Sequence, residues 1–202
     1  MDKDDFLKRF ADTSAPDLGG FAEGGAGGSS VRKEEGQVLY RICKVFRPKR
    51  IIETGTHTGC STNYLLMYAR EQGATVFSFD VENRAGADIR EDLKENLVLT
   101  KPPARLLGRG VTDKDIKGTR DAVVRAASEG VDLFFHDSDH RYENARWEFD
   151  NITPYMKPGS PVILHDVLNS SDVLQTCRLF EEITCAWKHV FDTPNGLGLA
   201  VL

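Results

Sequence analysis

Arg50-Ile-Ile-Glu-Thr-Gly-Thr-His-Thr-Gly-Cys-Ser-Thr62 is the stretch on which the fold turns. The two isoleucines after Arg50 look like the end of a buried strand. Gly55 and Gly59 follow Glu53, and Ser61 and Thr62 suit the start of a helix. Strand, glycine turn and helix in this order let backbone N–H groups and the positive end of a helix come close to a ligand. The order Glu-x-Gly-x-x-x-Gly departs from the dinucleotide pattern Gly-x-Gly-x-x-Gly, because His57 stands where a middle glycine would be. Taken alone, the stretch also reads as an ordinary strand-to-helix turn.

Outward from this turn, helix and strand patterns alternate. Upstream, Phe6, Leu7 and Phe10 mark a short helix over residues 3–11. Residues 12–30, rich in paired glycines, read as a flexible linker or as a mobile lid over a substrate site. Val38, Leu39, Ile42 and Phe46 recur at helical spacing between Val31 and Phe46, and Pro48 stops that helix before a strand at 50–54. Downstream, the expected elements are a helix over 61–72 closed by Gly73, a strand over 75–79 ending at Asp80, a helix over 86–97 and a short strand over 104–107. A helix over 113–128, a strand over 131–135, a helix over 141–156, a strand over 161–164 and a helix over 171–183 come next. Strands over 187–191 and 197–202 flank the turn Pro194-Asn195-Gly196. Such alternation predicts a Rossmann-like α/β domain over 31–202, with a mostly parallel sheet, helices on both faces and an antiparallel strand at one edge. Residues 1–30 form an N-terminal helix and flexible segment ahead of it.

Composition narrows the function classes. The 202 residues carry a net charge of −5, so nothing electrostatic favours nucleic acid or an anionic membrane as partner. Cys43, Cys60, Cys177 and Cys185 show neither Cys-x-x-Cys nor zinc-finger spacing, so reduced, packed thiols in a cytoplasmic protein are expected. No apolar run approaches membrane-spanning length, and the acidic N-terminus lacks a signal-peptide core.

Two strands end in histidine followed by aspartate: His136-Asp137 and His165-Asp166. If those strands are neighbours, about 5 Å apart, the two acids converge at the rim of the sheet beside the glycine turn. Carboxylates so close need a shared proton or a cation. Oxygen ligands favour Mg²⁺, and a histidine ligand shifts the preference toward Mn²⁺, Fe²⁺ or Zn²⁺. The other reading leaves one acid capping a helix and the other solvated. His140, three residues past Asp137, can take a proton from a substrate hydroxyl, or can simply pair with a carboxylate at a helix start.

Together these blocks resemble the class I S-adenosylmethionine-dependent methyltransferases. The first stretch is similar to their motif I. Val131-Asp-Leu-Phe-Phe-His-Asp-Ser-Asp-His-Arg-Tyr142 and Pro158-Gly-Ser-Pro-Val-Ile-Leu-His-Asp166 resemble two later blocks of a small-molecule O-methyltransferase subgroup. The resemblance covers roughly residues 35–202 and implies strand order 3-2-1-4-5-7-6. It implies that Glu53, Gly55 and Gly59, helped by Ser61, hold the methionine part of S-adenosylmethionine, with Thr56, His57 and Asp137 also binding the cofactor. Asp80, or Glu82 in its place, would accept from the ribose hydroxyls, and Gly110-Val111 would lie near the adenine. Asp137 and Asp166 match metal positions, for Mg or Mn, with His165 as a third ligand where some members carry an acid, and Asp137 and His140 form the catalytic pair. His57, Ser160 and His165 depart from the pattern, and His165 weakens the metal expectation most. Asn169 could add an oxygen ligand or be a plain loop residue.

The expected activity is methyl transfer to a hydroxyl of a small-molecule acceptor, in a chain that could pair as a homodimer. The rivals are a metal-dependent hydrolase built on the two His-Asp pairs, and a binding protein that keeps the cofactor without turnover.

Overall fold

Ile51 and Ile52, and Leu133-Phe-Phe135, are fully buried and lie side by side at the centre of a seven-stranded sheet. The computed structural model describes residues 1–18, 31–102, 111–169 and 175–202. Its strands are β1 (Arg50–Thr54), β2 (Thr75–Phe79), β3 (Leu97–Thr100), β4 (Leu133–His136), β5 (Pro161–His165), β6 (Trp187–Phe191) and β7 (Leu197–Val201). The order is β3-β2-β1-β4-β5-β7-β6, as expected; β1 to β5 pair in parallel, and β7 runs antiparallel to both β5 and β6.

Neighbouring residues along a strand face opposite sides of a sheet. A strand covered on both sides therefore reads as one continuous apolar run. Ile51, Val76, Leu133, Phe135 and Ile163 enter the apolar layer that includes α2 (Lys33–Phe46) and α3 (Cys60–Gln72). Ile52, Phe134, Val162 and Leu164 enter the layer that includes α4 (Asp113–Ala127), α5 (Tyr142–Ile152) and α6 (Thr176–Glu182). The N-terminal helix α1 (Lys3–Ala11) belongs to the first layer. Its Phe6 is fully buried, with ring centroids 5.5 Å from Phe46 and 5.2 Å from Trp187. Among the described residues no helix is long and apolar enough to cross a membrane.

The third strand lies earlier than expected. Residues 86–97 do not form a helix; only a 3-10 turn forms, over Glu91–Asn96, and Leu97–Thr100 is the edge strand, in register with Val76–Phe79. Its half-buried pattern, with Val98 exposed on the outer side, hides it from an argument that looks for buried runs. Pro102 follows two residues later, where a sheet would otherwise want an N–H. The expected strand at 104–107 and most of the glycine-rich segment, residues 19–30, lie outside the described residues, as do 171–174 of the expected last helix. The fourth strand is shifted to Leu133–His136, because His136 pairs with Thr54 and Leu164, while Val131 makes only an isolated bridge to Met156.

The turn after β1 explains its first glycine. Gly55 has φ +88°, and a Cβ there would lie 2.1 Å from the carbonyl oxygen of Asp137. The space is taken by the backbone leaving β4, not by room kept for a ligand. Gly55→Val should therefore cost about 1–3 kcal/mol in backbone strain alone, and more from the clash. Thermal unfolding should fall by about 2–4 °C for each kcal/mol lost. An unchanged melting temperature would mean that the close approach is not a constraint on the fold.

Candidate functional site

At the carboxyl ends of β1, β2 and β4 lies a cavity of ≈ 680 Å³. Thr54 to His57 and the start of α3, Cys60 and Ser61, form one wall. Asp80 to Glu82, beyond β2, form a second, and Asp137 to Arg141, beyond β4, a third. Ile116, Thr119 and Arg120 of α4 and Asn144, Trp147 and Glu148 of α5 close it. This volume is within the range of ordinary small-ligand sites.

Gly55, Thr56, His57, Ser61, Asp80 and Asp137 all border this space; Glu53 and Gly59 do not. Glu53 is fully buried behind the turn. Its carboxylate accepts hydroxyl hydrogen bonds from Ser61 at 2.6 Å, Thr62 at 2.7 Å and Ser78 at 2.6 Å. Burial pushes its pKa up to about 7, against the pull of those three donors. Glu53 thus ties the start of α3 to β1 and β2 and shapes the pocket from behind. Gly59, at φ +107°, is the N-terminal flank of α3, where a Cβ would meet Ile89 at 2.4 Å.

Asp80 has two tasks. One of its oxygens accepts the His57 N–H at 2.7 Å and the other the Glu82 N–H at 2.8 Å. The first bond holds His57 in a left-handed conformation, φ 45°, which a non-glycine residue rarely adopts unaided. The same carboxylate borders the cavity, with Glu82 beside it.

The two His-Asp pairs are not equivalent. His136 faces the α5 side of the sheet, where its Nδ1 lies 2.6 Å from Glu148. Glu148 also accepts from Thr54 at 2.6 Å, Ser138 at 2.7 Å and Asn144 at 3.1 Å. Burial would raise the Glu148 pKa, but His136 and the hydroxyls outweigh it and hold the group ionised. A hydrolytic centre made of two matching pairs therefore loses its basis.

His165 faces the other side and joins the cluster expected at the strand ends. Its Nδ1 lies 2.7 Å from Asp137 and 3.6 Å from Asp166. His140 lies between the same two acids, Nδ1 2.8 Å from Asp166 and Nε2 3.4 Å from Asp137. Asp137 and Asp166 thus share one site, bridged by two imidazoles. Burial pulls both histidines down, but the carboxylates prevail: His140 is held at about 9 and His165 at about 11. Burial likewise would raise Asp137, yet His165 and His140 hold it at about 2. His140 is therefore an imidazolium at neutral pH in the ligand-free protein, not the ready proton acceptor expected from its ordinary pKa. Asp166 sits in a left-handed conformation, φ 61°, which an aspartate tolerates better than most residues.

Asp137, His140 and His165 each bring one ligand atom within 4.8 Å of the others, so the cation set includes His140, with Asp166 tied to its far nitrogen. The buried nitrogens of His165 and Nε2 of His140 lack an aligned hydrogen bond among the described residues, so each ring, once deprotonated, has one lone pair to offer an ion. Two imidazoles and one carboxylate fit Mn²⁺, Fe²⁺ or Zn²⁺ better than Mg²⁺.

Several residues escape a sequence reading. Glu35, fully buried on α2, reaches within 3.3 Å of His165 Nε2, and Glu148 supports the cavity floor. Glu35 carries no motif. Glu148 could have been suspected from Asn144 and Glu148, a polar pair one turn apart on a helix face that also buries Ala145.

The raised histidines carry a stability signature. Their stabilising contribution is complete below the unfolded histidine value, about 6.5. It is lost as pH rises through about 9 for His140 and about 11 for His165. Urea unfolding should show the midpoint falling as pH rises through the first of these, and His140→Gln should flatten that fall. Parallel pH profiles for the two proteins would contradict the pairing.

A family model described as a methyltransferase domain matches residues 52–167, more than half of the chain. No curated protein matches the chain in sequence. The fold is similar to that of a cofactor-bound protein from MTB, at 18% identity and TM-score 0.65, over 98% of this chain and 88% of that one. It is similar also to an O-methyltransferase from Bacillus cereus in complex with SAH, at 17% identity and TM-score 0.64, over 98% and 89% of the two chains. A third is the O-methyltransferase TomG from Streptomyces achromogenes, involved in tomaymycin synthesis and bound to SAM, at 16% identity and TM-score 0.64, over 86% and 82%. At these identities the structures speak to the fold, and the sequence match speaks to the family. The chain belongs to the methyltransferase-domain family, with the class I, S-adenosylmethionine-dependent architecture that its three sequence blocks resemble.

Proposed function

We propose that this protein transfers the methyl group of S-adenosylmethionine to a hydroxyl of a small-molecule acceptor. One observation carries the reading: a single cavity has the glycine turn and Asp80 at one end and Asp137 with His140 at the other. When bound, the donor supplies a methyl group on a sulfonium; the acceptor oxygen takes the methyl, the sulfur keeps the bonding pair and the acceptor proton leaves.

The chain's own groups align and deprotonate. Asp80 and Glu82 accept from the ribose hydroxyls; each Asp80 oxygen already accepts one backbone N–H and has a lone pair left. Within the turn the Gly55 N–H donates to Phe79 O and the His57 N–H to Asp80, so the methionine carboxylate would meet the Thr56 N–H and the start of α3. His140 takes the acceptor proton only after releasing its own, because Asp137 and Asp166 hold it protonated up to about 9. A divalent cation held by Asp137, His140 and His165 would supply acidity to an acceptor hydroxyl.

Isothermal titration with S-adenosylhomocysteine should show binding, and Asp80→Asn should weaken it about tenfold or more, as for a lost charged hydrogen bond. Binding of nicotinamide dinucleotide in its place would contradict the reading. With a hydroxyl acceptor in hand and chelator present, the turnover of the wild type should rise with pH through about 9, where His140 deprotonates. His140→Ala should remove that limb. A chelated enzyme with a flat profile would take His140 out of the proton path.

A further inference from the structure

Glu35 belongs to no motif and touches no part of the cavity, yet it is a fully buried acid. A buried carboxylate costs several kcal/mol unless it is paired and hydrogen-bonded. Glu35 meets that requirement through three different elements. One oxygen accepts the Arg32 N–H at the start of α2, 2.8 Å away. The other accepts the Asn195 N–H in the turn between β6 and β7, 3.0 Å away. The first oxygen also lies 3.3 Å from His165 Nε2 at the end of β5. That last contact is off the hydrogen-bond axis, so it acts as a charge contact.

A helix-start glutamate that only caps would stay at the surface. This one is drawn inward to the far end of an alternating row: Glu35, His165, Asp137, His140, Asp166. With Nε2 of His165 facing Glu35, Nδ1 is left facing Asp137 at 2.7 Å. The carboxylate of Glu35 thereby selects which edge of the ring meets the cavity acid. A second route leads to the other acid. The turn that Glu35 holds accepts N–H bonds from Val167 at Gly196 O, 3.3 Å, and from Leu168 at Asn195 O, 3.2 Å. Those bonds fix the chain immediately after Asp166, at the point where its backbone is left-handed.

We infer that Glu35 is a positioning residue for the acceptor end of the site: it orients His165, and through His165 and the Asn195–Gly196 turn it fixes Asp137 and Asp166 around His140. What the cluster is used for rests on the methyl-transfer reading above; what Glu35 does to it rests on geometry alone.

Histidine-labelled protein tests this. In the wild type at neutral pH, long-range nitrogen–proton spectra should show His165 Nε2 carrying a proton, since a bare lone pair would face a carboxylate. A bare Nε2 overturns the inference, whatever any variant does. Glu35→Gln keeps the side chain's length and one of the two acceptor oxygens but removes the charge. It should shift the ring signals of His165 and of His140, which Glu35 does not touch, while the affinity for S-adenosylhomocysteine stays within about twofold. Unmoved His140 and His165 signals would reduce Glu35 to a structural cap and overturn the inference. A loss of about tenfold or more in S-adenosylhomocysteine affinity would place Glu35 in service of the donor instead, which also overturns it. If the wild type bound no S-adenosylhomocysteine, the methyl-transfer reading would fail, and the histidine spectra would still decide the role of Glu35.

Discussion

Ionisable side chains at the carboxyl ends of a buried parallel sheet must be paired, and the site is the set of solutions to that constraint. Glu53, His136 and His165 are each the last or next-to-last residue of a strand covered on both faces, and none is more than 3% exposed. An unpaired charge in such a place costs far more than a hydrogen bond returns. Each is answered by a different partner set: three hydroxyls for Glu53, Glu148 for His136, and Asp137 with Glu35 for His165. Those partners lie on α2, α3, α5, β2 and the loop beyond β4, so pairing the strand ends also fixes the elements that wall the cavity.

This division of labour gives the site two ends with different physical character. The end at the glycine turn is built by neutral hydroxyls and backbone N–H groups, with Glu53 behind and Asp80 in front. The opposite end is built by alternating charges, three carboxylates and two imidazoles. The ends meet where Gly55 lies against the carbonyl of Asp137 and the Asp137 N–H donates to Thr54 O, so the glycine turn and the acid beyond β4 share a backbone junction. Alignment of two bound molecules is the main service a methyl-transfer site renders, and a rigid junction between the two ends supplies it.

Much of the fold was legible because parallel strands covered on both faces announce themselves as apolar runs. Ile51–Ile52, Leu133–Phe135 and Val162–Leu164 are such runs, and the alternating helices set the order of the sheet. The edge strand Leu97–Thr100 was not legible, because one face is open and its pattern is not apolar throughout. At the site, Asp80, Asp137 and Asp166 were legible because each directly follows a strand, His165 because it ends one, and His140 because it lies three residues past Asp137. The direction of each side chain was not. Whether His136 or His165 joins Asp137 depends on which face of the sheet the strand end presents, a matter of register. Glu53 was expected against the ligand, whereas it lies behind the turn. Glu35 was invisible, since its two partners outside its own helix start lie 130 and 160 residues away in sequence.

The most direct measurement is a crystal structure of the protein with S-adenosylhomocysteine. The account predicts the ribose on Asp80 and Glu82, the methionine portion along Gly55 to His57, and the sulfur directed toward Asp137 and His140. A nucleoside whose sulfur pointed away from that pair, or one seated outside the cavity between the glycine turn and α5, would contradict it.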